Sequence, residues 1–266
     1  MMQTPLLFLF GLAVGTIGTM MGVGGGFLHV PVFTLLLGLP PQAAIATSIA
    51  VIFINTFGGS VIYYFQGRMD VDLAKKLSLA VAPGAIFGPF IVEQYTSSFF
   101  FVLFSCALIL CALHFLFGKG RVTILPKSRY DRTATIKDAY GQTVSYSTNV
   151  ELGVVGTLLI GFLSNLLGVG GGIVHVPFLI SVLKIPTHVA IGTSHAILCA
   201  SSFLGTVMFT ILQRVEMNIA FPTGIGAIIG ATIGADLARK TSGVVLRKML
   251  ALALMMIGMK MLFKTL

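Results

Sequence analysis

Two glycine-rich motifs contain the residue types best suited to holding a small solute. The first reads GVGGGFLHVP over residues 22–31, and the second reads GVGGGIVHVP over residues 168–177. Consecutive glycines allow turns that other residues rarely adopt, and they leave backbone N–H groups uncovered. A short helix that follows such a turn presents the partial positive charge of its N-terminus. Each motif therefore predicts an anion site that needs no lysine or arginine.

The predicted site combines backbone amides with polar side chains nearby. We expect Pro31 and Pro177 to stand where the short helices begin, because a helix start tolerates a missing N–H. The competing interpretation is that the glycines only allow close helix packing. The candidate substrate-binding residues are Gly24, Gly25, Gly26, Gly170, Gly171, Gly172, Thr47, Ser48, Thr193, Ser194, Asn165, His29 and His175.

The side chains in this set have more than one available role. The hydroxyls of the two Thr-Ser pairs could donate to an anion or bond to carbonyls of their own helices. Asn165 could bind substrate or a neighbouring helix. His29 and His175 could bind an anion, carry a coupling proton or satisfy a carbonyl. His195 is a candidate for proton coupling in one half only.

The two motifs belong to a duplication of the whole chain at an offset of 146 residues. Eight of their ten positions are identical, and the same offset pairs Thr47-Ser48 with Thr193-Ser194 and Arg68 with Arg214. Each half contains five apolar segments. They run over about 5–21, 27–38, 43–66, 73–92 and 98–117, and over about 150–167, 173–184, 188–213, 218–238 and 244–263.

Composition places these segments in a membrane. The chain has 266 residues, of which 56% are hydrophobic and 9% charged, whereas a soluble domain carries about 25% charged residues. The net charge of +9 does not indicate nucleic acid, because the basic residues lie between apolar segments, as charges that orient membrane proteins do. The three cysteines lie in apolar segments and are interpreted as core thiols rather than a disulfide or metal site.

The basic residues predict how the chain is threaded. Positive loops face the cytoplasm, so the linker, with six basic residues, should share that face with Arg68 and Arg239. The second segment of each half has about 12 residues, roughly 18 Å of helix, too short for a core of about 30 Å. We therefore expect segments one and two to form a re-entrant hairpin that turns at the glycines. An odd count of five segments then inverts the second repeat and places both termini outside.

The expected fold is thus an all-α multi-pass membrane protein with two inverted repeats of five helical segments and re-entrant hairpins at the glycine turns. Residues 1–117 form the first repeat, residues 118–149 a polar cytoplasmic linker with little structure of its own, and residues 150–266 the second repeat. The N-terminal segment is interpreted as a retained helix, because it lacks the positive start of a signal peptide. Asp236 is expected to pair locally with Arg239 and Lys240.

The chain shows no pattern typical of an enzyme. It contains no GxSxG, HExxH or paired acidic motif, and GVGGG lacks the GK[ST] of a phosphate-binding loop. The histidine spacing does not indicate a metal site. We therefore predict no catalytic residues, no metal and no cofactor.

The paired G-V-G-G-G-x-x-x-V-P motifs, each followed by Thr-Ser at a set distance, resemble the sulfite exporter TauE/SafE family. The resemblance covers about residues 5–117 and 150–263. It implies transport of small sulfur-containing anions such as sulfite, sulfoacetate or other sulfonates, across a prokaryotic plasma membrane. It also implies that Gly22 to Gly26 and Gly168 to Gly172 belong to the site.

The leading hypothesis is a secondary transporter in which one half rocks against the other. An anion channel, a transporter of another small anion such as a carboxylate, and a non-transporting membrane component are the alternatives. The expected partners are a small anionic substrate and the lipid bilayer, with no nucleic acid. The particular anion, the direction of transport, the coupling ion and the formation of a homo-oligomer stay open.

Overall fold

The structure, a computed structural model, describes residues 4–117, 131–168, 170–241 and 243–263. Helical segments dominate these residues, and their bounds lie close to the apolar segments expected from the sequence. In chain order the elements are α1 Thr4–Met21, α2 Gly26–Leu35, α3 Pro41–Phe65, α4 Val71–Val92, α5 Ser97–Phe117, β1 Asp131–Lys137, β2 Thr143–Asn149, α6 Val150–Leu167, α7 Gly172–Pro177 with a π-helical turn Phe178–Val182, α8 Thr187–Ile211, α9 Met217–Lys240 and α10 Gly243–Phe263.

The helices are those of a membrane protein. Within the described ranges, six of them are long and apolar enough to cross a bilayer, namely α1, α3, α4, α6, α8 and α9. Large apolar side chains face outward along several of these helices, and Leu79, for example, is 78% exposed. Such a surface suits lipid and not water. The chain is therefore an all-α multi-pass membrane protein, as its composition predicts.

Close helix pairs join the two halves. α1 packs along α9, and α6, its counterpart in the second half, packs along α4. Glycines make both contacts: a Cβ added to Gly15 would lie 2.5 Å from Cα of Ala227, and one added to Gly88 would lie 2.8 Å from Cβ of Asn165. Small residues at these positions let the backbones approach closely.

Hydrogen bonds at the ends of α3 and α8 set their directions. Thr47, near the start of α3, accepts from the N–H of Glu216, which follows α8, at 3.0 Å. Thr193, near the start of α8, accepts from the N–H of Asp70, which follows α3, also at 3.0 Å. Each helix therefore begins where the other ends, and the two run in opposite directions.

The linker differs from its expected form. Residues 131–149 form an antiparallel β-hairpin of β1 and β2, in which Ala134 faces Tyr146, with a turn at Gly141. The expectation of little structure is wrong here because both strands contain β-branched residues, such as Thr133, Thr135 and Val144, and these residues favour strand pairing. Residues 118–130, with the basic residues Lys119, Arg121, Lys127 and Arg129, and the chain ends at 1–3 and 264–266, lie outside the described residues.

The β-hairpin docks on the loop between α3 and α4. Arg132 pairs with Asp70 at 2.8 Å, the hydroxyl of Tyr146 donates to the same carboxylate at 2.6 Å, and Ala139 N–H donates to the Gln66 carbonyl at 2.9 Å. The guanidinium of Arg239, at the end of α9, lies 4.6 Å from the centre of the Tyr140 ring. The α3–α4 loop, the β-hairpin and the end of α9 therefore share one face, as the charge distribution predicts.

Candidate functional site

Glycines in left-handed conformations turn the chain at both motifs. Gly25 and Gly171 cap α2 and α7 with φ angles of 89° and 86°. The short helices therefore begin at Gly26 and Gly172. Consecutive glycines make such turns accessible because they carry no Cβ.

The prolines do not start these helices, and that expectation is wrong. Pro31 lies inside α2, and Pro177 is the last residue of α7, directly before the π-helical turn. The glycine caps already begin the helices, so the missing proline N–H falls within the helix and removes a backbone hydrogen bond there. A π-helical turn is one way for the chain to accommodate such a gap.

The two glycine turns, defined as Gly22–Gly25 and the glycines Gly168, Gly170 and Gly171, meet inside the protein. A Cβ added to Gly172 would lie 2.7 Å from the carbonyl carbon of Val23, so the backbones touch. Cβ atoms added to Gly24 and Gly170 would lie 3.0 Å and 2.9 Å from the same Ile52 methyl group. Because Ile52 stands midway along α3, the turns meet near the middle of the helix bundle.

At the helix starts that follow these turns, the first backbone N–H groups do not donate to a backbone carbonyl of the described residues. The N–H groups of Leu28 and His29 donate to the Gly25 carbonyl, and those of Val174 and His175 donate to the Gly171 carbonyl. Within the described ranges, the N–H groups of Gly26 and Phe27 have no backbone acceptor, as is usual for the first residues of a helix. Such amides, at the positive end of a helix, can bind an anion.

The predicted Thr-Ser pairs fasten one half to the other. The Ser48 hydroxyl donates to the Gly168 carbonyl at 2.8 Å, and the Ser194 hydroxyl donates to the Gly22 carbonyl at 3.1 Å. Each α3 or α8 serine thus holds the glycine turn of the opposite repeat. These bonds reach the other half and not carbonyls of the serines' own helices, while a role in binding an anion stays a prediction.

A second set of polar bonds joins equivalent positions in the two repeats, but the amide side chain lies on α3 in the first repeat and on α6 in the second. Thr19 donates to Oδ1 of Asn55 at 3.1 Å, and Nδ2 of Asn55 donates to the Gly24 carbonyl at 3.2 Å. In the other half, Nδ2 of Asn165, the counterpart of Thr19, donates to the hydroxyl of Ser201, the counterpart of Asn55, at 3.1 Å. Both amides are buried and lie beside the turns, although only Asn165 was among the predicted site residues.

The three predicted histidines are buried, and their surroundings differ. His29 lies against Phe33, and neither of its ring nitrogens has a hydrogen-bond partner among the described residues. Nε2 of His175 lies 3.0 Å from the Thr157 hydroxyl. Nδ1 of His195 lies 3.2 Å from the Ile191 carbonyl. All three rings occur in the membrane-embedded core, where the proposed binding and proton-carrying roles stay predictions.

Three further residues of this centre were not singled out from the sequence. The hydroxyls of Thr56 and Ser202 lie 3.4 Å apart, and Tyr63 donates to the Thr19 carbonyl at 2.9 Å. The 146-residue offset, which pairs Thr56 with Ser202, is the signal that could have identified the first two. The centre of the protein is therefore lined by amides and hydroxyls, with the glycine turns at its core.

Known proteins resemble the chain over nearly its full length. The family model described as "Sulfite exporter TauE/SafE" matches residues 7–261. The probable membrane transporter protein YunE of Bacillus subtilis is 28% identical over 99% of this chain and 98% of its own length. The probable membrane transporter protein MJ0441 of Methanocaldococcus jannaschii is 29% identical over 97% of this chain and 95% of its own length.

A plant protein resembles a shorter part. The "Sulfite exporter TauE/SafE family protein 3" of Arabidopsis thaliana is 36% identical over 95 residues, which are 35% of this chain and 19% of the plant protein. No solved structure matches the chain. With the family model matched across both repeats and both glycine turns, the chain belongs to the sulfite exporter TauE/SafE family of membrane transporters, and it is not an enzyme.

Proposed function

We propose that this protein is a secondary transporter that carries a small sulfur-containing anion, such as sulfite or an organosulfonate, across the plasma membrane of a prokaryotic cell. The observation that carries the proposal is the meeting of the two glycine turns near the middle of α3. The amides at their helix starts supply positive potential without a buried lysine or arginine. The sulfur in the substrate rests on the description of the family.

The mechanism proposed is alternating access by two inverted repeats. It is supported by the opposite directions of α3 and α8 and by the reciprocal serine bonds, Ser48 to Gly168 and Ser194 to Gly22. In such a fold the substrate binds at broken helices near mid-depth, and one repeat moves against the other to open either side. The β-hairpin face is the cytoplasmic one in this proposal, and both termini are outside.

Binding at the turns is assigned to the amides that follow Gly25 and Gly171. The side chains of Asn55, Ser48 and Ser194 hold the turns in place through bonds to the carbonyls of Gly24, Gly168 and Gly22. Hydrogen bonds from backbone N–H groups to an ionised oxyanion are stronger than those between neutral groups. A site without a full positive charge suits a carrier, because it can release as well as bind its anion.

The experiment is a flux assay on the purified protein in liposomes. Uptake of sulfite, sulfoacetate and acetate is followed in protein-containing vesicles and in empty ones. We expect saturable uptake of at least one sulfur-containing anion and exchange against the same anion trapped inside. Absence of all anion flux with folded protein would overturn transport. Flux that does not saturate and gives no exchange would show a channel and not a carrier. A preference for acetate would contradict a sulfur-containing substrate.

A further inference from the structure

An ion pair on one face of the protein has two arginines as its repeat counterparts. Nε of Arg214 lies 2.8 Å from Oε1 of Glu93, at the end of α3 that is opposite to the β-hairpin. Adding or subtracting the 146-residue offset gives Arg68 for Arg214 (214 − 146 = 68) and Arg239 for Glu93 (93 + 146 = 239). The second face therefore has two positive side chains where the first has one of each sign.

Arg68 is buried without a neutralising partner. The residue is 6% exposed, and Nη1 has no hydrogen-bond partner among the described residues. All eight acidic residues of the chain are within the described ranges, yet none of them forms an ion pair with Arg68. Burial lowers the pKa of Arg68; the Asp138 charge opposes this effect and the Arg239 charge adds to it.

The nearby carboxylates are engaged elsewhere. Oδ1 of Asp138 accepts from the N–H groups of Tyr140 at 3.0 Å and Gln142 at 2.8 Å, within the turn of the β-hairpin. Asp236 pairs with Arg239 at 2.8 Å and with Lys240 at 2.9 Å, as the sequence predicts. A buried guanidinium without an ion-pair partner is costly, so a bound anion would stabilise Arg68.

Other groups around Arg68 suit the same ligand. The Arg68 charge acts on His188, whose Nδ1 is buried without a partner in the described part of the chain. Tyr140, on the β-hairpin, also interacts electrostatically with Arg68, and the Arg239 guanidinium lies over its ring. Cationic and hydrogen-bonding groups thus cluster where the turn of the β-hairpin meets the end of α3.

We propose that Arg68 and Arg239 form an anion site beneath the turn of the β-hairpin, occupied by a small oxyanion or carboxylate that supplies the negative charge that Glu93 supplies in the other repeat. Guanidinium groups bind such ligands through paired N–H donors. This site lies at the membrane face and not at the glycine turns. The existence of this site does not depend on the proposed function. Only the identification of its occupant as the transported anion rests on that function.

The first test measures sulfite and inorganic sulfate binding to the purified protein by titration calorimetry. The variant Arg68→Gln should bind the anion at this site at least about tenfold more weakly, because charged hydrogen bonds are lost. Arg214→Gln is the matched control: it occupies the equivalent position, is already paired with Glu93, and should leave this binding unchanged. Equal binding by the wild type and a folded Arg68→Gln variant would overturn the site.

A second variant keeps the test decisive if Arg68→Gln does not fold. Arg239→Glu places a carboxylate at the position of Glu93 in the other repeat and should abolish anion binding here, because it replaces one of the two cations by a negative charge. Unchanged anion binding by this variant would contradict the proposal. Liposome flux separates the two claims: anion binding without flux removes the transporter, whereas flux that is insensitive to Arg68 and Arg239, with no binding at them, removes only this site.

Discussion

The hydroxyls of Thr56 and Ser202 lie 3.4 Å apart, and these two residues occupy the same position in the two repeats. A residue that touches its own counterpart must stand beside the axis that exchanges the halves. A Cβ added to Gly24 would lie 3.1 Å from the Thr56 methyl group and 3.2 Å from a methyl group of Leu198. The first glycine turn is therefore next to this axis.

A cross-link should form at this contact. In a background without Cys106, Cys111 and Cys199, the pair Thr56→Cys and Ser202→Cys should oxidise to a disulfide, because the two hydroxyls already touch. The bond would close a loop of about 146 residues and stabilise the protein by about 2–4 kcal/mol. Peptide mass spectrometry and thermal unfolding measure both effects. The control pair Thr56→Cys and Ser201→Cys should cross-link poorly; equal yields would argue against the axial contact.

The glycine turns should be sensitive to a single added methyl group. At Gly25 it would lie 2.7 Å from Val14, whereas at Gly38, where φ is also positive at 71°, nothing lies within 4 Å. Both Ala variants carry the strain of a left-handed residue, about 1 kcal/mol. We expect Gly25→Ala to reduce anion flux about tenfold, a loss of about 1.4 kcal/mol in substrate binding, and Gly38→Ala to keep most of it. Similar flux in the two variants would remove the turn from the site.

Much of this architecture follows from the apolar segments and the repeat. Helix bounds such as 73–92 against Val71–Val92 agree closely, because the length of an apolar segment is set by the thickness of the bilayer. The start of α2 could not be placed in the same way. Pro31 is the stronger sequence signal for a helix start, but the left-handed cap at Gly25 decides where the helix begins.

Contacts between residues that are far apart in the sequence could not be predicted from the sequence pattern. The bond from Ser48 to Gly168 joins residues 120 positions apart, so the local alternatives for the serine hydroxyl did not include it. The lack of an ion-pair partner for Arg68 among the described residues appears only when its burial and its unpartnered Nη1 are known. The β-hairpin was missed because its strands are polar, although Thr133, Thr135 and Thr143 are typical strand residues.

Removal of the Asn55 amide should loosen the first glycine turn. Asn55→Ala leaves the Gly24 carbonyl and the Thr19 hydroxyl without their buried partner, which costs about 1–3 kcal/mol. The double variant Thr19→Asn, Asn55→Ser copies the residue types of the second repeat and should recover part of that loss. Unfolding in detergent measures the stability. A fully stable Asn55→Ala variant would mean that these bonds do not hold the turn.

Docking of the β-hairpin should weaken in acid. Burial alone would raise the pKa of Asp70, but hydrogen bonds from Tyr146, Arg132 and the Leu73 N–H outweigh it and hold the pKa below its usual value. A carboxyl with a lowered folded-state pKa contributes stability above its unfolded-state pKa of about 3.9, and that contribution is lost as the pH falls through the folded-state pKa.

Hydrogen exchange of the β-hairpin amides from about pH 7 down to pH 3 follows this change. Protection should fall at the acid end in the wild type, after correction for the intrinsic exchange rate. Asp70→Asn should have reduced protection throughout and little dependence on pH. The control Asp72→Asn, which changes an exposed carboxylate that also pairs with Arg132, should keep the wild-type profile. A pH profile that is the same in Asp70→Asn and the wild type would assign the effect to another group.

His195 offers the clearest test of proton coupling, because the first repeat has Ile49 at its position. A Cβ added to Gly59 would lie 2.5 Å from Cδ2 of His195, and one added to Gly205 would lie 3.1 Å from Ile49, so the two side chains occupy equivalent places. His195→Ile should therefore fold. If the ring carries the coupling proton, the variant should lose anion accumulation driven by a pH gradient and keep exchange of anion for anion. Accumulation that persists in the variant would leave His195 a structural residue packed against Tyr63.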